Sequence, residues 1–297
     1  MSSATIVDWA ADRAAIDLAL ESLSDGLERL LAPRVAGAVR YSLLGGKRLR
    51  GLLVLAAYRS AGGSADASPL AAAAEVVHAY SLVHDDLPCM DDDDLRRGRP
   101  TVHRVYGVSV ATAAGVAMVP LAARAAFRAS VSLGLVPAAC GAVVAELMRA
   151  SGAGGMIGGQ LLDLEGEDRP LGLADLERIH RAKTGALIRA AVVIGGIAAR
   201  ADAGRIGALG TFGDAIGLAF QIADDVLDVT ATSDRLGKPA GRDLALKKST
   251  YPALLGVSGA SERAAALVSD GCSALRAAGL LSTELDALAR FVIERES

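Results

Sequence analysis

A chain of 297 residues with four Phe, five Tyr and one Trp cannot fill its core with aromatic rings. The interior has to come from Ala, Leu, Val and Ile, and residues of that size suit helices packed close together. Apolar residues recur at helical spacing along nearly the whole sequence, and no stretch shows the two-residue alternation of a half-buried strand. The expected fold is therefore all-α. Helices are predicted from Asp8 to Leu31 (ending near Pro33), from Leu52 to Ala61 and from Pro69 to His84. Further helices are predicted at about 107–128, 137–150, 173–200, 204–231 and 260–280. Leu43 to Arg50 reads as a glycine pair opening into a basic helical turn, and SGAGG, GEDRPLG and DRLGKPAGRD read as loops. No repeat or linker divides the sequence, so a single domain over residues 1–297 is expected.

Net charge is −3 and the basic residues are scattered, which argues against a nucleic-acid partner. Cys89, Cys140 and Cys272 are too few and too dispersed for a disulfide framework, and a reducing cytoplasmic setting fits them. The first residues lack the basic start and apolar centre of a signal peptide. Val105 to Ala123 carries no charge, but Ala, Gly, Ser, Thr and Pro120 dominate it. Such residues supply little transfer energy, so a buried core helix is expected there and no membrane span.

Two acidic clusters interrupt this apolar background: HDDLPCMDDDDLRRGRPT from His84 to Thr101, and FQIADDVLDV from Phe220 to Val229. Carboxylates this dense resist burial unless something positive neutralises them. Hard oxygen ligands followed at once by Arg96, Arg97 and Arg99 point to Mg²⁺ bridging the protein to a diphosphate. The spacing of an EF-hand is absent. Asp224 and Asp228, four apart, share a helical face, whereas Asp225 points elsewhere. Asp85 and Asp91 would lie about 240° apart on a regular helix. Pro88 cannot donate to the His84 carbonyl and crowds it, so the helix is expected to break or bulge there and let Asp91 swing back towards Asp85. Taken alone, Asp91 to Asp94 would be an ordinary solvated acidic loop, Lys47, Arg48 and Arg50 a solvated helix start, and Lys183-Thr184-Gly185 a helix irregularity.

The ordered set of motifs resembles the trans-isoprenyl diphosphate synthases, the farnesyl and geranylgeranyl diphosphate synthase family. It runs from Tyr41 to Gly256 through GGKRLR, DDLPCMDDDDLRRGRPT, GGQLLD (Gly158 to Asp163), KTGAL (Lys183 to Leu187), FQIADDVLD and GKPAGRDLALKKSTYP. The resemblance implies a helical bundle around a deep central cavity, as a homodimer, and elongation of an allylic diphosphate by isopentenyl diphosphate through ionisation, condensation and elimination. It implies Mg²⁺, three ions, held by Asp85, Asp91, Asp224 and Asp228. Catalytic work falls to Asp85, Asp86, Asp91, Arg96, Lys183, Asp224, Asp225 and Lys238. Arg96, Lys183, Lys238 and Lys248 would meet the allylic diphosphate beside Thr184 and Gln221, and Gly46, Lys47, Arg50, His78 and Arg97 would bind isopentenyl diphosphate. The roles of Gln160 and Asp163 stay open.

Product length would be set below the first cluster. Ser81 lies one turn below Asp85, and Tyr80 about 7.5 Å below it by helical rise. An aromatic floor there favours farnesyl diphosphate, with geranylgeranyl diphosphate as the alternative. The chain departs from the family pattern at Val116, where an aspartate is usual, at Val108, where an acidic residue is usual, and at Gly51, where proline is common. Rival readings are a non-catalytic subunit of a heteromeric synthase, a terpene cyclase and a membrane-interacting helical protein.

Overall fold

The computed structural model describes residues 7–166, 169–230 and 249–294. The loop DRLGKPAGRD, most of the GKPAGRDLALKKSTYP motif, Lys238, Lys248 and two residues of GEDRPLG lie outside the described residues. The fold is all-α, as expected. Helices α1 (Ala10–Ser24), α2 (Pro33–Leu43), α3 (Leu49–Ser60) and α4 (Ser68–Asp85) lead to the first acidic cluster. After it come α5 (Val102–Tyr106), α6 (Val108–Ser132), α7 (Pro137–Ser151), α8 (Met156–Glu165) and α9 (Leu173–His180). A π-helical segment, Arg181–Gly185, joins α9 to α10 (Ala186–Ala198). α11 (Ala203–Thr230), α12 (Tyr251–Ala277) and α13 (Thr283–Glu294) complete the described part.

The small-residue core is visible in α4, where Leu70 to Ala74, Val76 and Val77 are fully buried. α4 packs on α3 and α6, and α10 packs on α3, α7 and α11, so α4 and α10 are the central helices. One hydrophobic cluster runs from Ile16 to Val292.

Several boundaries differ from the sequence reading for identifiable reasons. The first helix stops at Ser24 because Asp25 is extended and Gly26 takes φ 73°, a left-handed conformation that costs glycine little. α2 was not foreseen; Pro33, read as a stop, occupies the first turn, where its missing N–H costs nothing. α8 and α13 were also missed, and α12 begins nine residues before the predicted start. Gly256, at φ 72°, kinks α12 near its start and breaks the periodicity there. A two-residue hairpin, Leu95–Arg96 with Arg99–Pro100, is too short to show alternation.

Val105 to Ala123 is mostly α6, but it is not the buried core helix expected. Ala111, Ala114, Gly115, Met118, Leu121 and Ala122 face inward, while Val108 and Val116 stand on the outer face. By length and composition alone, Val108–Ser132 and Ala203–Thr230 would each suffice to cross a membrane. The second is largely buried among the other helices and carries the Asp224 cluster.

Candidate active site

A cavity of about 590 Å³ opens between the ends of α3, α4, α8 and α11, and residues from both acidic clusters reach it. Its wall includes Asp85 from the first cluster and Asp224 from the second, together with Lys183, Thr184 and Gln221. Gly46, Lys47, Arg50, His78 and Arg97 line the same space, as does Ser81.

α4 ends where Pro88 requires. The Asp86 and Leu87 amides bond back to Leu82 and His84, and the chain then turns so that the Asp91 N–H donates to the Asp85 carbonyl at 2.8 Å. The expected return of Asp91 towards Asp85 is thus made by the backbone. Burial pushes the Asp85 carboxyl up to about 6; Lys183 opposes the shift, Asp91 adds to it, and Arg96 and Asp86 act more weakly in opposite senses.

The short hairpin folds the arginines back over this turn. Its two central residues, Arg97 and Gly98, both have positive φ, as such a two-residue turn needs. Arg96 pairs with buried Asp86 through Nε at 2.9 Å and through Nη2, and with Asp93 at 2.8 Å. Burial opposes the charge on Arg96, but Asp86, then Asp93 and Asp85, outweigh it and raise its pKa. Asp86 therefore anchors the loop, and Arg96, expected on a diphosphate, is held by carboxylates and does not line the cavity.

Arg97 reaches the Gly45 carbonyl at 3.0 Å and lies 3.3 Å from His78 Nε2. Gly46 permits this: it has φ 108°, and a Cβ there would collide with the Arg97 guanidinium. Burial lowers the His78 pKa well below its ordinary value, and Arg50, Arg97, Arg96 and Arg48 lower it further. The imidazole is thus neutral and accepts from Arg97.

The basic turn is no solvated helix start. Arg48, at φ 55° and 7% exposed, bonds Asp17 and the Leu43 carbonyl, each at 2.7 Å, and lies 4.0 Å from Glu75. Glu75, itself buried, accepts the Gly51 N–H at 2.8 Å. A Cβ at Gly51 would sit 2.8 Å from Ile16 Cδ1. Asp17 and Glu75 thus fix the turn that presents Lys47 and Arg50. Neither was singled out in the sequence; a lone glutamate in an Ala- and Val-rich helix was the available signal.

The Lys183-Thr184-Gly185 irregularity is the π-helical segment, and Lys183 and Thr184 line the same cavity. Such segments widen a helix and recur at functional sites. Two glycines let neighbouring helices close on it. A Cβ at Gly159 of α8 would collide with the Lys183 backbone, and one at Gly217 of α11 would lie 2.6 Å from Gly185 Cα. Asp163 receives Lys183 Nζ at 2.7 Å, the role the sequence left open.

Asp224 is exposed to the cavity, but Asp228, one turn on, is 4% exposed and is not part of the wall. Asp225 is buried and accepts the Tyr251 N–H at 2.9 Å, holding the first turn of α12. Among the described residues, no three His, Cys, Asp or Glu side chains converge closely enough to hold a metal unaided. The donor set suits Mg²⁺ shared with a ligand, because this ion takes one or two carboxylates and fills its sphere with phosphate oxygens and water.

Below Asp85, Ser81 lines the cavity and donates to the His78 carbonyl at 2.8 Å. Tyr80, expected as the cavity floor, does not line it; its ring lies edge-on to His84, with centroids 5.1 Å apart. His84 in turn meets the Thr112 carbonyl at 3.2 Å and lies against Gly115 of α6. Val108 and Val116, the two departures on α6, are exposed and away from the cavity.

The profile of the polyprenyl synthetase family matches residues 32–273. Farnesyl diphosphate synthase of Escherichia coli (strain K12) is 43% identical over 94% of this chain and 97% of its own length. Among solved structures, geranylgeranyl pyrophosphate synthetase from Pyrococcus horikoshii Ot3 superposes with a TM-score of 0.85 at 32% identity, covering 96% of this chain and 97% of that one. A geranyltransferase from Helicobacter pylori, complexed with magnesium and isoprenyl diphosphate, superposes with a TM-score of 0.80 at 30% identity, covering 98% of each chain.

Proposed function

Because the chain belongs to the polyprenyl synthetase family, we propose that it is a short-chain trans-polyprenyl diphosphate synthase. It joins isopentenyl diphosphate to dimethylallyl or geranyl diphosphate, and farnesyl diphosphate is its main product. One observation carries this reading: a single cavity is lined by carboxylates from two separate clusters together with Lys47, Arg50, Arg97 and Lys183.

Asp85, Asp91, Asp224 and Asp228 would hold three Mg²⁺ ions, which supply charge neutralisation for a departing diphosphate. Lys183 and Thr184 meet the allylic diphosphate from the π-helical wall, with Gln221 beside them. Lys238 and Lys248 join this set in the proposal, and Arg96 does so by exchanging Asp86 or Asp93 for the anion. Lys47, Arg50, His78 and Arg97, around Gly46, take the diphosphate of isopentenyl diphosphate. The two anions are thereby held in one cavity, which brings the double bond of one substrate to the carbon from which the other's diphosphate leaves. Leu82, Met156, Phe220 and Phe291 form apolar stretches of the wall and keep water from the allylic cation. The proton lost at the end goes to the released diphosphate, and no protein nucleophile is required.

The whole chain acts as one domain. It pairs as a homodimer through the outer face of α6 and the start of α7, where Val116, Phe127, Val131 and Val136 are exposed. All three cysteines are free, which supports a cytoplasmic setting. Geranylgeranyl diphosphate is the second reading for the product, favoured by the position of Tyr80 off the cavity wall.

The test is incubation with isopentenyl diphosphate, Mg²⁺ and each of dimethylallyl, geranyl and farnesyl diphosphate, with chromatography of the products. Elongation of the first two, stopping at the C15 product, is expected. No elongation from any acceptor would overturn the proposal and leave a non-catalytic subunit.

A further inference from the structure

Among the described residues, α1 gives no side chain to the wall of the main cavity, yet one of its carboxylates holds the start of α3. α3 begins at Arg48, whose carbonyl accepts the Leu52 N–H at 2.9 Å. Lys47 precedes it and Arg50 sits in the first turn, so the backbone of Arg48 sets where both cations stand. That backbone is left-handed, at φ 55°, in company with Gly45 at 71° and Gly46 at 108°. Glycine adopts such angles freely, whereas an arginine stays there because its surroundings hold it.

The surroundings that hold it are the acceptors around its side chain. Arg48 donates from Nε to Asp17 Oδ1 and from Nη2 to the Leu43 carbonyl, each at 2.7 Å, while Glu75 is 4.0 Å from Nη1. Glu75 already accepts the Gly51 N–H, and the Leu43 carbonyl is uncharged. Asp17 is therefore the nearest carboxylate to a cation that is 7% exposed. A buried guanidinium deprived of that partner recovers its solvation by moving, and the residue it moves with is the first of α3.

Asp17 does this from behind the site. A second cavity, of about 310 Å³, lies between the ends of α1 and α2, and Arg48 belongs to its wall as well as to that of the main cavity. Asp17, half exposed, lines the second cavity alone. It meets no ligand in the main cavity, so any effect it has on one passes through Arg48.

We propose that Asp17 is a positioning residue for isopentenyl diphosphate: by holding Arg48 it fixes the left-handed start of α3, and with it Lys47 and Arg50. This rests on the synthase reading above, which puts that substrate at Lys47 and Arg50. The effect falls on one substrate, because Lys183 and Thr184, which meet the other, stand on the π-helical segment and not on this turn.

The experiment compares wild type with Asp17→Ala, which removes the acceptor, Asp17→Glu, which keeps a carboxylate, and Asp12→Ala as the control. Asp12 lies on the same helix, pairs with Arg59 at 2.6 Å and is not on the wall of the main cavity. Measured are kcat, KM for each substrate, and calorimetric affinity for isopentenyl diphosphate without Mg²⁺. Asp17→Ala should raise KM for isopentenyl diphosphate by about 10-fold and weaken its binding to match, with kcat and the allylic KM within about 2-fold of wild type. Asp17→Glu should recover most of the loss, and Asp12→Ala should leave both KM values unchanged. A wild-type KM for isopentenyl diphosphate in Asp17→Ala would overturn the proposal. So would an equal rise for both substrates, or the same rise in Asp12→Ala. If wild type elongates nothing yet binds isopentenyl diphosphate more tightly than Asp17→Ala does, the synthase reading fails and the positioning role stands.

Discussion

The two acidic clusters look alike in sequence, each with a pair of adjacent aspartates, but they are built differently. At Asp224-Asp225 a regular helix does the arranging: one carboxylate faces the cavity and the next, about 100° round, is buried and receives the Tyr251 amide. At Asp85-Asp86 the helix ends, and a turn and a short hairpin do the work. Asp85 reaches the cavity, Asp86 pairs with Arg96, and Asp91 is tied back through its own amide. In both pairs the first aspartate faces the cavity and the second holds structure. The difference is the partner: a backbone amide in one case, a guanidinium in the other. A carboxylate that faces the cavity thus has its neighbour engaged in fixing where it points.

The comparison is tested most severely by removing the cavity-facing members. Asp85→Asn and Asp224→Asn should each lower kcat by about 10³-fold with little loss of folding stability. If only one of them did so, the clusters would not be halves of one site.

The structural members should behave in the opposite way. Asp86→Ala leaves Arg96 with Asp93 as its remaining carboxylate and should cost about 2–3 kcal/mol in urea unfolding. Asp225→Ala removes an acceptor from the Tyr251 amide and should cost about 1–2 kcal/mol, most of which Asp225→Asn should retain because it keeps an acceptor. Equal losses at Asp86 and Asp225 would remove the distinction between charged and neutral partners.

A smaller effect separates the clusters by pH. The Asp85 carboxyl binds its proton more tightly in the folded protein, at about 6, than at its ordinary value of 3.8. That linkage favours the folded, metal-free protein below pH 3.8 and is lost as the pH rises through about 6. Metal binding has the opposite sign, because the ligand must be deprotonated. Stabilisation by Mg²⁺ with pyrophosphate should therefore be larger at about pH 7.5 than at about pH 5.5, and Asp85→Asn should flatten the difference. A flat profile in wild type would remove Asp85 from the metal ligands.

The subtlest change is in product identity. Tyr80→Ala removes the ring that rests on His84 and opens space towards α6, so chromatography should show longer products at similar turnover. An unchanged distribution would mean that chain length is set elsewhere on the wall.

The all-α class, the cavity-facing Asp85 and Asp224, and the break at Pro88 were legible because each follows from local rules: helical periodicity, i to i+4 spacing, and a missing N–H. The burial of Asp228 behind the cavity wall was not legible, because spacing gives a face of a helix and not where a cavity wall stops along it. Arg96 was assigned to substrate because its charge is visible in sequence, while the geometry that turns it onto Asp86 depends on a hairpin of two-residue strands. Glu75 and Asp17 were invisible because their partners, Gly51 and Arg48, come from other helices.

Gly51 carries a consequence for how this sequence can change. The family resemblance led to an expectation of proline at this position, and an engineer seeking rigidity would introduce it. Here the residue's amide serves buried Glu75, and its missing Cβ makes room for Ile16. Proline would withdraw the donor and press on Ile16 at the same time, so the substitution is costly in this background. The three positions form an epistatic unit: a proline at position 51 first requires changes at Glu75 and Ile16.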